Sequence, residues 1–381
     1  MKQIYLDYAA ATPLDKRVMA AMQPFFSDQF YNPSSAYQSA KAVRQAVNDA
    51  RVRVAHWLGA KPAEVIFTAG ATESINMAIN GIMQKHDGAN ILVSSVEHEA
   101  VIATAKAFAH RLLPVKVDAS VDVDELKKSI DDHTVLISIG YANNEVGTIQ
   151  PMNEVAELVR EVRRLRRLQN NNLPLYLHTD ASQAACYLDL HASRLGADLI
   201  TLNGGKMYGP KQSGVLFVAG GIELAPLIAG GGQEMNLRSG TENVPSIIGL
   251  AAALDIAQSE RKEAVAKASA LRDELQRELQ KLPNTFVNGS QKRRLPNLLH
   301  LSWPGLDGER LVMLLDELGV MASTGSACAA NKQTASQVLT AIGLDSDAIA
   351  GSLRLTVGRQ TTQAEVKKAA AIIAKAVQSL G

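Results

Sequence analysis

Leu175-Tyr176-Leu177-His178-Thr179-Asp180-Ala181-Ser182-Gln183 is a short apolar run that ends on a carboxylate, with an amide three residues further on. Residues 175–178 have the length and the Leu-rich character of a buried strand. An acid at the carboxyl end of such a strand points into the crevice where open parallel sheets bind ligands; as a helix N-cap it would serve only the backbone amides that follow. Both roles are open to Asp180 on these residues alone. Outward from this run, further strand candidates fall at 65–68, 91–94, 135–139, 199–201 and 215–218, each short and β-branched or Leu-rich. Helical sequence separates most of them. In residues 40–58, Val43, Ala46, Val47, Ala50, Val54 and Leu58 recur at steps of one, three and four. Strands with so little polar alternation, interleaved with helices, belong to an α/β fold whose mainly parallel sheet is covered on both faces.

Beyond Gly249 the texture changes. Residues 250–282 read as one long helix with Lys, Glu and Arg outward, a connector between domains; 298–302 and 353–357 read as strands, 308–318 and 363–379 as helices, of a smaller α+β unit. A length of 381 residues also favours two domains over one. The expected division is a large domain over 13–251 and a small domain made of 1–12 with 252–381. No internal repeat or low-complexity segment is visible. Lys plus Arg number 39 against 38 Asp plus Glu, so a formal charge of +1 gives no bulk attraction to nucleic acid. Hydrophobic residues at 46% and charged residues at 20% exclude an intrinsically disordered chain. No apolar run approaches the roughly 20 residues of a membrane span, and the opening residues lack the apolar middle of a signal peptide. No membrane partner and a cytoplasmic location are therefore expected. The cluster Arg160, Arg163, Arg164, Arg166 and Arg167 lies opposite Val155, Val159, Val162 and Leu165 and reads as the solvated face of a helix.

Chemistry-bearing residues gather just past the strands. Gly204-Gly205-Lys206-Met207-Tyr208-Gly209-Pro210-Lys211 sets a lysine among glycines after a buried strand, where a desolvated amine has a lowered pKa and can form a Schiff base; a structural lysine in a glycine-rich loop would look the same. Gly70-Ala71-Thr72-Glu73-Ser74 opens a helix whose free amides and Thr72 hydroxyl suit a phosphate, or simply a capping turn. His98, within Ser94-Ser95-Val96-Glu97-His98-Glu99-Ala100, follows a strand at the same sheet edge and is placed for proton transfer or for the surface. Only two cysteines occur, which excludes a disulfide framework. Cys186 sits in an apolar context and reads as structural, whereas Cys328 sits in a run of small residues, about 321–334, and reads as an accessible thiol.

Taken together, these residues resemble the cysteine desulfurase family, group I, pyridoxal-phosphate enzymes of fold type I in the class V aminotransferase branch. The likeness runs along essentially the whole chain: Tyr5 to Pro13, Gly70 to Ser74, Glu97-His98, Asn143 to Gly147, Thr179 to Gln183, Lys206 to Lys211, Arg238-Ser239-Gly240-Thr241 and Ser326-Ala327-Cys328. It implies a large domain with a mainly parallel seven-stranded sheet beside the smaller α+β domain. It also implies pyridoxal 5'-phosphate as cofactor and no metal. Lys206 would form the Schiff base and move the α-proton, Asp180 would pair with the ring nitrogen, Gln183 with the phenolic oxygen, and His98 would stack on the ring. Ala71, Thr72, Asn203, Gly205 and Thr241, the last from a neighbouring subunit of a homodimer, would hold the phosphate. Asn144, beside the cofactor, and Arg354 would receive the substrate carboxylate, and the Cys328 thiolate would take sulfur from L-cysteine as a persulfide, leaving L-alanine. An acceptor protein, an iron–sulfur scaffold or a tRNA-thiolation enzyme, would collect that sulfur.

Three departures from the family pattern stand out. Asn203-Gly204-Gly205 replaces a phosphate-facing Ser and His, and the expectation is that the two glycines turn main-chain N–H groups toward the phosphate instead. Tyr37 stands where His is usual, and the chain ends at Gly381 without the tail by which some members dock a scaffold. Two other readings use the same residues: a selenocysteine lyase or another class V enzyme with Cys328 incidental, and a non-catalytic scaffold that works by binding partners.

Overall fold

The computed structural model of the chain describes residues 3–325 and 335–380. Its strands are β1 (Ile4–Tyr5), β2 (Val65–Thr68), β3 (Asn90–Ser94), β4 (Ala109–Leu113), β5 (Thr134–Ser138), β6 (Tyr176–Asp180), β7 (Leu199–Asn203), β8 (Gly214–Val218), β9 (Phe286–Val287), β10 (Leu298–Ser302), β11 (Val320–Met321) and β12 (Ser352–Thr356). Seven of them make one sheet in the order β2-β8-β7-β6-β5-β3-β4. Neighbours from β7 across to β4 run parallel, and β8 is antiparallel to both β2 and β7. β2, β5 and β8 are buried along their whole length, as the continuous apolar runs require for a sheet covered on both faces.

Helices cover the two faces. The Ala71–Met83 and Glu99–Ala105 helices pack through Ile75, Ile79, Ile82, Val101 and Ile102 against one side. The Gln38–Leu58 and Val244–Ser259 helices pack on each other over the opposite side. A second apolar cluster surrounds the antiparallel sheet β12-β10-β9 and includes the Arg261–Leu279, Gly308–Glu317 and Gln363–Leu380 helices. Ile4 and Leu6 belong to this second cluster, and β1 pairs parallel with β11.

Three expectations need correction. Residues 250–282 are not one connector helix. The Val244–Ser259 helix is buried without interruption from Ile247 to Leu254 and is part of the first cluster, and the chain bends at Glu260 (φ −90°, ψ 4°) before the Arg261–Leu279 helix begins. Across the bend the apolar contacts pass from one cluster to the other, Ala257 belonging to the first and Ala268 to the second. The arginine cluster is not wholly solvated either. Arg166 is buried, and its Nη atoms donate to the carbonyls of Leu173, Pro174, Asp131 and Thr134, closing loop ends that no strand serves. Arg163 donates to Leu175 O and pairs with Asp198. Finally, β4 had no counterpart among the expected strands. It is a half-exposed edge strand with only Leu113 buried, so its sequence lacks the apolar run.

Candidate active site

A cavity of about 600 Å³ opens at the carboxyl ends of β3, β5, β6 and β7. Lys206, Asp180, His98, Gln183, Asn144, Ala71, Thr72, Asn203 and Arg354 all line it, so nine expected site residues from distant parts of the sequence meet on one wall. Topology does this: side chains just past parallel strands converge at the crevice above the strand ends.

Lys206 ends a 3₁₀ turn, Gly204–Lys206, directly after β7. Its Nζ donates to the carbonyls of Ala9 (2.8 Å) and Ala10 (2.6 Å), and Gln183 Nε2 donates to the same Ala9 carbonyl at 3.0 Å. The N-terminal segment is held over the lysine by Thr12. Its hydroxyl donates to Gly205 O (3.0 Å) and accepts from Tyr208 N (2.8 Å), and Tyr208 takes the left-handed conformation (φ 62°) that brings its amide round. Asp180 accepts from Ser182 N (2.9 Å) and Ser182 Oγ (2.6 Å) through one oxygen. The helix N-cap reading does not hold, since no helix begins here; the acid fixes a turn, and it lines the cavity. His98 is exposed and caps the Glu99–Ala105 helix, its Nδ1 accepting from Ala100 N at 3.1 Å, which places the proton of the neutral ring on Nε2.

Glu97, one residue earlier, is a wall residue to which no role was assigned. It is buried, accepts from Gly140 N at 2.7 Å, and is pushed up to about 8 by desolvation, with the negative charge of Asp180 adding to the shift. At neutral pH it is a neutral acid. Glu145, also in the wall, is raised by burial and accepts from Ser336 Oγ at 2.5 Å. Asn143 organises this loop by donating to Val96 O and accepting from Glu145 N and Val146 N. The sequence signal for these residues was adjacency to His98 and Asn144, which does not distinguish support from contact.

A shallower cavity of about 520 Å³ shares Ala71, Thr72 and Asn203 with the first and sits at the amino end of the Ala71–Met83 helix. The first-turn amides there have no intrahelical carbonyl to reach. Gly70 enters at φ 139°, a conformation only glycine holds without strain, and Glu73, which also lines this cavity, has its carboxylate engaged by Ala69 N and Arg238 Nε. The free helix amides make it a cradle whose geometry suits an anion such as phosphate.

The expected nest of glycine amides is not there. Gly204 N donates to Ser213 O, and Gly205 N donates to Asn203 Oδ1 at 2.9 Å, so both amides are spent inside the turn. Gly205 does not line the cavity; its carbonyl holds Thr12. Asn203 keeps its place, since accepting through Oδ1 leaves the Nδ2 amide as the donor between the two cavities. Thr241 is exposed and lines neither cavity, although its neighbours Gly240 and Glu242 line a smaller one that shares Ala69 and Gln212 with the cradle. Cys328 lies outside the described residues, and Gly325 and Ala335, on either side of 326–334, both line the main cavity. Cys186 is buried and burial pushes its thiol up to about 11, as a structural cysteine requires.

An acid at a strand end, a lysine facing it, and an adjoining anion cradle fit pyridoxal phosphate: Asp180 toward the ring nitrogen, the helix amides with Thr72 and Asn203 toward the phosphate. A family model described as Aminotransferase class-V matches residues 4–369. A cysteine desulfurase IscS of Methanosarcina thermophila is 41% identical over 386 aligned residues, covering 100% of this chain and 93% of that protein. A solved structure titled NifS-like protein superposes with a TM-score of 0.91 at 33% identity, covering 99% of this chain and 100% of that one. Another, titled SspA in complex with cysteine, superposes at 0.78 with 32% identity over 94% of this chain and 99% of its own.

Proposed function

This chain belongs to the class V aminotransferase family and is a pyridoxal-phosphate-dependent cysteine desulfurase, and on that premise we propose how its residues divide the work. Bound pyridoxal phosphate supplies the electron sink that acidifies the amino acid's α-proton and loosens its C–S bond. Lys206 anchors the cofactor covalently and afterwards carries the α-proton on Nζ. Asp180 keeps the ring nitrogen protonated, Gln183 meets the phenolic oxygen, and His98 covers the ring face. Ala71, Thr72 and Asn203 hold the phosphate, completed by the partner subunit's Thr241 in a homodimer. Asn144 and Arg354 receive the substrate carboxylate, for which a guanidinium is suited. The Cys328 thiolate attacks the cysteine sulfur; the C–S electron pair returns to carbon, which is protonated and leaves as L-alanine, and Cys328 is left as a persulfide. A protein acceptor, an iron–sulfur scaffold or a tRNA-thiolation enzyme, then takes the sulfur in the cytoplasm.

The observation that carries this assignment is the meeting of Lys206, Asp180 and His98 from three strand ends in one cavity that Arg354 and Gly325 also line. Borohydride reduction of the loaded protein followed by peptide mass spectrometry is expected to find the cofactor on Lys206, and label on Lys211 refutes that. In the same preparation Cys328→Ser is expected to keep the cofactor absorption yet form no persulfide with L-cysteine. Persulfide formation that survives Cys328→Ser and is lost in Cys186→Ser overturns the choice of nucleophile.

A further inference from the structure

Arg354, at 3% exposure, is enclosed by acceptors before any substrate arrives. Its Nη1 donates to Asn144 O (3.0 Å) and Gly325 O (2.6 Å), its Nη2 pairs with Asp7 Oδ1 (2.8 Å), and its Nε has no partner among the described residues. Asp7 is held in place independently of this pair. It forms a parallel bridge to Thr356, two residues beyond Arg354 on β12, and its carbonyl accepts from Tyr5 Oη and Ala10 N. The carboxylate, which does not itself line the cavity, is thus a fixed partner of the one arginine that does.

We propose that Asp7 is a positioning residue that sets, and weakens, the grip of Arg354 on α-carboxylates; the proposal rests on the reading that Arg354 receives the substrate carboxylate. L-Cysteine and L-alanine carry the same carboxylate, so an uncompensated buried guanidinium would hold product as firmly as substrate. Binding of that uniform kind does not speed turnover and slows release. With Asp7 present, an incoming carboxylate becomes the second anion on one guanidinium. At an effective dielectric near 20 and a separation of about 6 Å, the repulsion amounts to a factor of roughly a hundredfold in affinity. The orientation and the charge can be separated by substitution, because Asn at this position keeps an oxygen for Nη2 and removes the charge.

The test is calorimetric titration of the cofactor-loaded protein with L-alanine and, as the probe without a carboxylate, ethylamine. Asp7→Asn is expected to tighten L-alanine binding at least tenfold, to leave ethylamine within threefold, and to lower KM for L-cysteine without raising kcat. Asp7→Glu, which keeps the charge, is expected to stay within threefold of the parent for both ligands. Unchanged or weaker L-alanine binding in Asp7→Asn overturns the proposal; should that variant fail to fold, Asp7→Ser is held to the same criterion. Arg354→Gln separates the two claims. If it leaves L-alanine affinity unchanged, the carboxylate reading of Arg354 falls, whereas weakening in Arg354→Gln without tightening in Asp7→Asn removes the role of Asp7 alone.

Discussion

Glu97 shows how the cavity alters a single side chain. Desolvation holds its proton up to about pH 8, against an ordinary value of 4.5, with Asp180 adding to the shift and the Gly140 amide opposing it. Between those two values the folded chain keeps a proton that the unfolded chain has released. Stability is therefore fully present below about pH 4.5 and is lost as pH rises through about 8, at up to roughly 1.4 kcal/mol per pH unit. Glu97→Gln mimics the neutral acid and keeps the acceptor for Gly140 N. Urea unfolding is expected to show the variant gaining on the parent by a few kcal/mol between pH 5 and pH 8.5. An equal difference at the two pH values would mean that Glu97 is ionised in the fold. Nothing in Val96-Glu97-His98 announces this protonation, because it is set by how tightly β3, β5 and β6 close around the carboxyl group.

The turn after β7 carries the site lysine, and its two glycines are not equivalent. A Cβ on Gly204 would lie 2.1 Å from Ser213 Oγ and 2.9 Å from Pro210 O, whereas on Gly205 its nearest neighbour would be Asn203 Oδ1 at 3.3 Å. Ser213 cannot swing aside freely, since its hydroxyl donates to Pro210 O. Gly204→Ala is expected to lower stability by about 2 kcal/mol or more, and Gly205→Ala by under about 1 kcal/mol. Chemical denaturation of the two variants checks this, and equal losses would refute it. Elements of this kind were legible where one period or one apolar run dominated: β2 and β10 fall on the expected residues, and the Gln38–Leu58 helix begins only two residues early. The misses have physical causes. The Val244–Ser259 helix is apolar all round and so has no face to read, β1, β9 and β11 are two residues each, and Arg166 is buried by four carbonyls outside its own helix, which the helix's period cannot show. That Lys206, Asp180 and His98 share one cavity was legible because each lies at or just past a strand's end, whereas the Asp7–Arg354 pair spans 347 positions.

At the scale of the whole molecule, residues 4–12 tie the two apolar clusters together. Ile4 and Leu6 sit in one and Tyr8 in the other, and between them the segment supplies the carbonyls over Lys206 and the carboxylate on Arg354. Thr12 is its last fastening. Thr12→Val keeps the shape but strips the acceptor from the amide of Tyr208, a residue only 2% exposed, so a loss of about 1–3 kcal/mol is expected in thermal or urea unfolding. A loss below the error of measurement would show that the strap is held elsewhere. The strap also dictates an order of assembly. Among its partners are β11 and β12, more than 300 residues later, so during synthesis these pairings of the strap must wait for them. The seven-stranded sheet, complete by Val218, can form while synthesis continues. The fastenings of Thr12 to Gly205 and Tyr208 can close with that sheet, whereas the Arg354 side of the cavity is complete only once β12 has been made.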